Sequence, residues 1–154
     1  MPNPLMPSTR SSRAKRAGVL LVVGLLLAVV LAACVPTPEE QQSIDLLNAG
    51  RAFVGVPRLA VDDSLQTKAH DQAQRMADAQ RLFHSSLASG VRAGWVSLGE
   101  NVGVGPSPEA VNMQFNRSPD HLSRRTSTAW NAVGIGVVRD AAGRYWVVEE
   151  FGRF

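Results

Sequence analysis

One cysteine, three histidines and a single tyrosine are all that 154 residues offer of those types. A lone cysteine closes no disulfide within the chain, so the fold must be held by packing. Acidic residues are missing before Cys34: all 13 lie beyond it, whereas four of the 16 lysines and arginines precede it. From Cys34 onward 12 basic side chains face 13 acidic ones, a formal charge of −1, with no basic stretch. That balance excludes a nucleic-acid-binding surface built on bulk positive charge. The glycine-rich run Gly99 to Gly105 lacks the Gly-Lys-Ser/Thr ending of a phosphate loop, and no internal repeat is visible.

Residues 1–33 read as a leader. Arg10, Arg13, Lys15 and Arg16 precede an almost wholly aliphatic run, Ala17 to Ala33, which ends in Leu31-Ala32-Ala33-Cys34. A basic head, an apolar core and small residues at the exit describe a secretory signal. The cysteine at that place resembles the processing site of a bacterial lipoprotein. The expectation is a signal peptide over 1–33, diacylated Cys34 heading a tether over 34–42, and a domain over 43–154. Its address is then the outer face of the cytoplasmic membrane or the cell envelope, with lipid on Cys34 as the membrane contact. A short membrane helix is the competing reading of the same run.

Helical spacing of Ile44, Leu47, Ala52 and Phe53 predicts a first helix over about 40–54, stopped at Gly55. Asp62 or Asp63 caps a second, running to about Gln80, with Leu65, Ala69, Ala73, Met76 and Ala77 buried. Gln66, Lys68, Asp71, Gln74 and Asp78 form its expected wet face. Residues 81–106 read as loop with one extended piece near Val96 to Val104. Ser107-Pro108-Glu109 starts a third helix ending before Pro119, and a further turn begins at Ser118 or Pro119. Alternation over Ala132 to Arg139 and Arg144 to Phe151, around Asp140 to Gly143, predicts a terminal hairpin. Helices followed by a hairpin give an α+β layered domain.

Three polar islands carry the chemistry: Leu82-Phe83-His84-Ser85, Gly99-Glu100-Asn101 and Ser118-Pro119-Asp120-His121. Two imidazoles and a carboxylate, His84, His121 and Glu100, could hold a divalent metal such as zinc. Asn101, Ser118 and Asp120 are available to support them. Ser118, His121 and Glu100 or Asp120 also contain the residue types of a nucleophile, base and orienter. The plainer reading is that Glu100 accepts bonds from His84 or backbone groups and braces the wall of a cleft. His70 reads as a solvated side chain on the polar side of the second helix.

The ordered motifs resemble a family. Asn48-Ala49-Gly50-Arg51, Pro57-Arg58-Leu59, Ala69 with Ala73, Met76 and Ala77, and Leu82-Phe83-His84-Ser85 come first. Gly99-Glu100-Asn101-Val102, Ser118-Pro119 with His121, Val133 to Val137 and Tyr145 to Val148 follow. Together they are similar to the CAP superfamily of cysteine-rich secretory proteins, antigen 5 and pathogenesis-related class 1 proteins. The likeness is closest to its compact bacterial SCP-like members. The resemblance implies a three-layer α-β-α sandwich with a central antiparallel sheet. It also implies a cleft where two His and two Glu can hold a metal. His84, Glu100 and His121 take three of those places; Ser118 stands where the second Glu would be.

The implied function is non-enzymatic binding of a lipid, peptide or envelope ligand in a cleft lined by His84, Glu100, Asn101, Ser118 and His121. The alternatives are an envelope peptidase or esterase using His84, Glu100, His121 and Ser118, with or without metal, and an interaction module whose cleft is vestigial.

Overall fold

The structure, a computed structural model, describes residues 35–154; the segment expected to be a signal, 1–33, and Cys34 lie outside the described residues. Pro36–Phe154 forms one compact unit. It contains α1 (Pro38–Phe53), β1 (Ala60–Val61), α2 (Asp63–Ala79), β2 (Ser97–Gly105), α3 (Pro108–Arg117), α4 (Pro119–Thr126), β3 (Ala132–Arg139) and β4 (Tyr145–Arg153). No helix among the described residues is long and apolar enough to cross a membrane.

The helices begin where local chemistry tells them to. Thr37 and Glu40 form a reciprocal capping box ahead of Pro38, so α1 starts inside the stretch expected to be tether. Asp62 accepts from the backbone N–H groups of Ser64 and Leu65 and starts α2, which Gln80 ends in the left-handed conformation (φ 51°). Ser107 caps α3 through the N–H of Ala110. The expected extended piece near Val96 is a full nine-residue strand, β2, and the connector before Asp62 contributes the two-residue β1.

The sheet runs β1-β3-β4-β2; β2, β3 and β4 are antiparallel, and β1 joins β3 in parallel. Helices cover both faces, which gives the expected sandwich. On one face α2 lays Ala69, Ala73, Met76 and Ala77 against Trp146 and Val148. On the other, Ile44 and Leu47 of α1 and Val111 and Phe115 of α3 meet Val133, Ile135, Val137, Val147 and Phe151.

Glycines set the spacing between layers. A Cβ on Gly134 would lie 2.1 Å from the backbone carbon of Leu65, and one on Gly136 would lie 2.2 Å from that of Ala69. Helix α2 therefore rests directly on the backbone of β3. Beyond β1 the outer edge of β3 is closed by side chains. The Gln66 amide bonds both backbone groups of Ile135 (2.8 and 3.0 Å), and Glu40 accepts from the N–H of Val137 (3.3 Å). Gln66 and Lys68 are consequently buried, against the expectation that they face water. A helix seated this close to a sheet buries its flanks as well as its stripe.

Gly136→Ala should destabilise the domain by about 3 kcal/mol or more, because two backbones must separate. At Gly103 the clash is with the side chains of Val111 and Phe115, which can shift, so Gly103→Ala should cost less. Urea denaturation of the two variants checks the order.

Candidate functional site

The strand β4 carries two consecutive acids, Glu149 and Glu150, both buried. Neighbouring residues on a strand point to opposite faces, so each layer of the sandwich receives one carboxyl group.

Glu150 faces α2, directly opposite Glu100 on β2. Lys68 of α2 places its ammonium 2.8 Å from Glu150 Oε1 and also donates to Ser85 Oγ and to the Ser86 carbonyl (3.1 Å). Ser85 Oγ donates to Glu150 Oε1 (3.1 Å), while the Ser85 backbone N–H is shared between both oxygens of Glu100 (3.0 and 3.2 Å). The two carboxyl groups stand directly opposite each other in the register of β2 and β4, and like charges placed so disfavour double ionisation. Burial pushes Glu150 up to about 8, with the neighbouring Glu100 adding to the rise. Glu100, also desolvated, is nonetheless held below the usual carboxylate range by Glu150, Ser85 and His84 beside it. The proton therefore belongs to Glu150. Its Oε2 has no hydrogen-bond partner among the described residues, and protonation spares that buried oxygen a negative charge.

His84 completes this group. Its Nδ1 lies 2.6 Å from Glu100 Oε1. An ionised carboxylate only accepts, so Nδ1 carries a proton, and in the neutral ring Nε2 is then the acceptor. About two-thirds of the side chain is exposed. It borders a groove of about 400 Å³ between α2 and the loop at 83–90.

Glu149 faces the opposite layer. Asn101 Nδ2 donates to Glu149 Oε2 (3.0 Å) and to the His121 carbonyl (3.3 Å), so it ties β2 to α4. Arg125 of α4 brings Nε within 3.3 Å of Glu149 Oε1. That is close enough for charge attraction but misaligned for a hydrogen bond, and the Nε proton stays unpartnered. Desolvation raises Glu149, and Arg125 and Asn101 oppose the rise.

His121 sits edge-on to Phe115 (4.9 Å between ring centres), with Nδ1 buried and without a partner. Burial, reinforced by Arg124, lowers its pKa and keeps the ring neutral. Ser118 holds the N-cap position of α4, yet its side chain makes no capping bond.

The structure thus joins His84 to Glu100 and Asn101 to His121, and it places Ser118 and His121 one turn apart at the start of α4. Glu100 acts as the brace anticipated among the readings of its island. Both of its oxygens are committed, and among the described residues no group of three His, Cys, Asp or Glu is arranged to hold a metal ion. The donor set His84, Glu100 and His121 does not fit a metal in this arrangement. His70 differs from its solvated reading: its Nδ1 meets the buried Glu40 Oε1 at 2.8 Å.

Lys68, Glu149, Glu150 and Arg125 were missed in the sequence. The available signal was Glu149-Glu150 between Val148 and Phe151. Two adjacent acids inside an apolar strand demand a buried partner on each side of the sheet.

The family model for the cysteine-rich secretory protein family, CAP, matches residues 44–151, and the chain belongs to that family. An uncharacterised protein of Bacillus subtilis, YkwD, is 25% identical over 123 residues, covering 74% of this chain and 47% of the relative. The chain therefore spans about half the length of that relative. Among solved structures, an outer surface protein of Borrelia burgdorferi superimposes with a TM-score of 0.67 at 17% identity, over 77% of this chain and 96% of that one. An extracellular SCP-domain protein of Bacillus anthracis gives 0.67 at 22% identity, over 78% and 45%. At those identities the two structures establish the fold.

The proton on Glu150 has a measurable consequence. Glu150 holds its proton more tightly folded than unfolded, so its stabilising contribution is complete below 4.5 and is lost as pH rises through about 8. Glu150→Gln keeps a donor and an acceptor without the titration. Thermal melts across that window should show a flatter Tm profile for the variant than for the wild type.

Proposed function

We propose that this chain is a non-enzymatic binding module displayed outside the cell. Its ligand, a lipid, a peptide or another envelope component, sits in the groove between α2 and the loop at 83–90. The observation that carries this reading is the state of His84. Glu100 fixes its tautomer from behind, and Nε2 is left unengaged at the rim of a groove of about 400 Å³. That volume lies within the range of about 300–1,000 Å³ common to small-ligand sites.

Turnover through a serine nucleophile would need a hydroxyl in hydrogen-bond reach of an imidazole. Among the described residues no serine or threonine hydroxyl bonds His84 or His121, and Ser118 bonds neither. This favours binding over the hydrolase built on His84, Glu100, His121 and Ser118. The Bacillus anthracis protein is extracellular and the Borrelia burgdorferi protein belongs to the outer surface, which supports display outside the cell.

The test separates binding from bracing. His84→Ala should abolish retention of the small-molecule ligand that mass spectrometry finds in extracts of the purified protein, with little change in Tm, because Ser85 still satisfies Glu100. Glu100→Ala should cost about 1–3 kcal/mol, since it strands the Ser85 N–H. Equal ligand retention by wild type and His84→Ala would sink the proposal and leave an interaction module with a vestigial cleft.

The same proposal places the module on the membrane through acyl chains at Cys34, on the motif Leu31-Ala32-Ala33-Cys34. Two or more chains suffice for stable anchoring. Cys34→Ser should move the protein out of the membrane fraction and remove the lipid mass from its N-terminus. Unchanged fractionation and mass would refute the anchor.

A further inference from the structure

The groove beside His84 contains charges that the fold does not use. Asp71 and Arg75 stand four residues apart on α2, the spacing at which opposite charges on a helix ordinarily pair. They form no ion pair with each other. Arg75 instead turns to Gln72, donating from Nε (3.0 Å) and Nη2 (2.7 Å) to the same Oε1. Gln72 is itself fixed by its bond to the Phe83 carbonyl (2.6 Å). This holds the guanidinium by one edge and leaves its outer fork, Nη1 with the second Nη2 proton, open for a planar anion. Asp71 remains an acceptor without a partner among the described residues, one helical turn away.

The third open group is His84 Nε2, which in the neutral ring is the acceptor because Glu100 takes the Nδ1 proton. Lys68 offers the groove nothing, because all three of its ammonium protons are taken by Ser85, Ser86 and Glu150. The groove thus presents one cation, one anion and one neutral acceptor, over a wall in which Phe83 is the large apolar member. An acyl chain would find little to lie against. A ligand bearing a carboxylate, an ammonium and an N–H between them would satisfy all three.

We infer that the groove binds a short zwitterionic peptide, its carboxylate on the fork of Arg75, its ammonium on Asp71 and a backbone N–H on His84 Nε2. This rests on the groove's being the ligand site, and it narrows the ligand to one chemistry. Asp71 and Arg75 set specificity, because each recognises one charged end; His84 contributes to affinity for any peptide.

The test uses the full chain in detergent and three forms of dialanine: free, N-acetylated and C-amidated. Titration calorimetry should show the free peptide binding, with each cap weakening it about tenfold, as expected for loss of one charge-assisted contact. Asp71→Asn should weaken the free peptide and become indifferent to acetylation, and Arg75→Gln should become indifferent to amidation. His84→Ala should weaken all three forms while preserving both sensitivities. Capped peptides that bind as tightly as the free one would overturn the inference. So would binding of dihexanoyl phosphatidylethanolamine, which shares the paired charges, in the absence of peptide binding. If no peptide binds but a co-purified ligand is still lost on His84→Ala, the peptide assignment fails and the binding module stands. If neither occurs, both fail.

Discussion

The structure depends on where the charges of Glu149 and Glu150 go. A central strand offers no water, and two adjacent acids on it cannot lean to one side. Each face of the sheet must therefore supply its own compensation, and each does so differently. Toward α2 the solution is a cation, a second carboxyl and a proton on Glu150, so that a buried lysine meets one net negative charge. Toward α4 it is a guanidinium and an amide, with Arg125 further held by Asn112 and Asn116. Removing either acid's partner would leave an uncompensated buried charge, the costly case for such pairs.

Function follows from the first of these solutions. Because Lys68 and Glu150 both bond Ser85, the start of the 83–90 loop is anchored to the sheet and not merely draped over it. Because Glu100 takes the Ser85 N–H, its remaining interaction with His84 orients an imidazole and does not ligate a metal. The same four side chains thus position the groove wall and set the tautomer of the histidine on its rim. The absence of a second glutamate at Ser118 is consistent with this division, since Glu100 already faces the protonated Glu150.

Much of the fold was legible in the sequence because its signals are local. Asp62, Ser107 and Pro108 mark helix starts by chemistry acting within one turn, and Gly134-Ile135-Gly136 marks a strand by alternation. The candidate site was half legible. His84 and Glu100 were recognisable as isolated polar groups and do meet. Their partners Lys68 and Glu150 were not, because a lysine on a polar helix face looks solvated until the depth of the helix against β3 is known. That depth is set by two glycines about 70 residues further along the chain. Buried charge is a property of packing, and packing between distant segments has no local signature.

The two polar faces also differ in what they leave open. Around Glu149 the charged groups face one another, and His121 is buried against Phe115 in a neutral form. Around Glu150 the helix that supplies Lys68 carries Asp71 and Arg75 on its adjoining surface without pairing them. A helix optimised for stability alone would let those two charges meet, at a gain of about 0.2–0.5 kcal/mol. Here Gln72 intercepts the arginine while also gripping the loop that walls the groove. One side chain thereby couples the shape of the groove to the orientation of its cation.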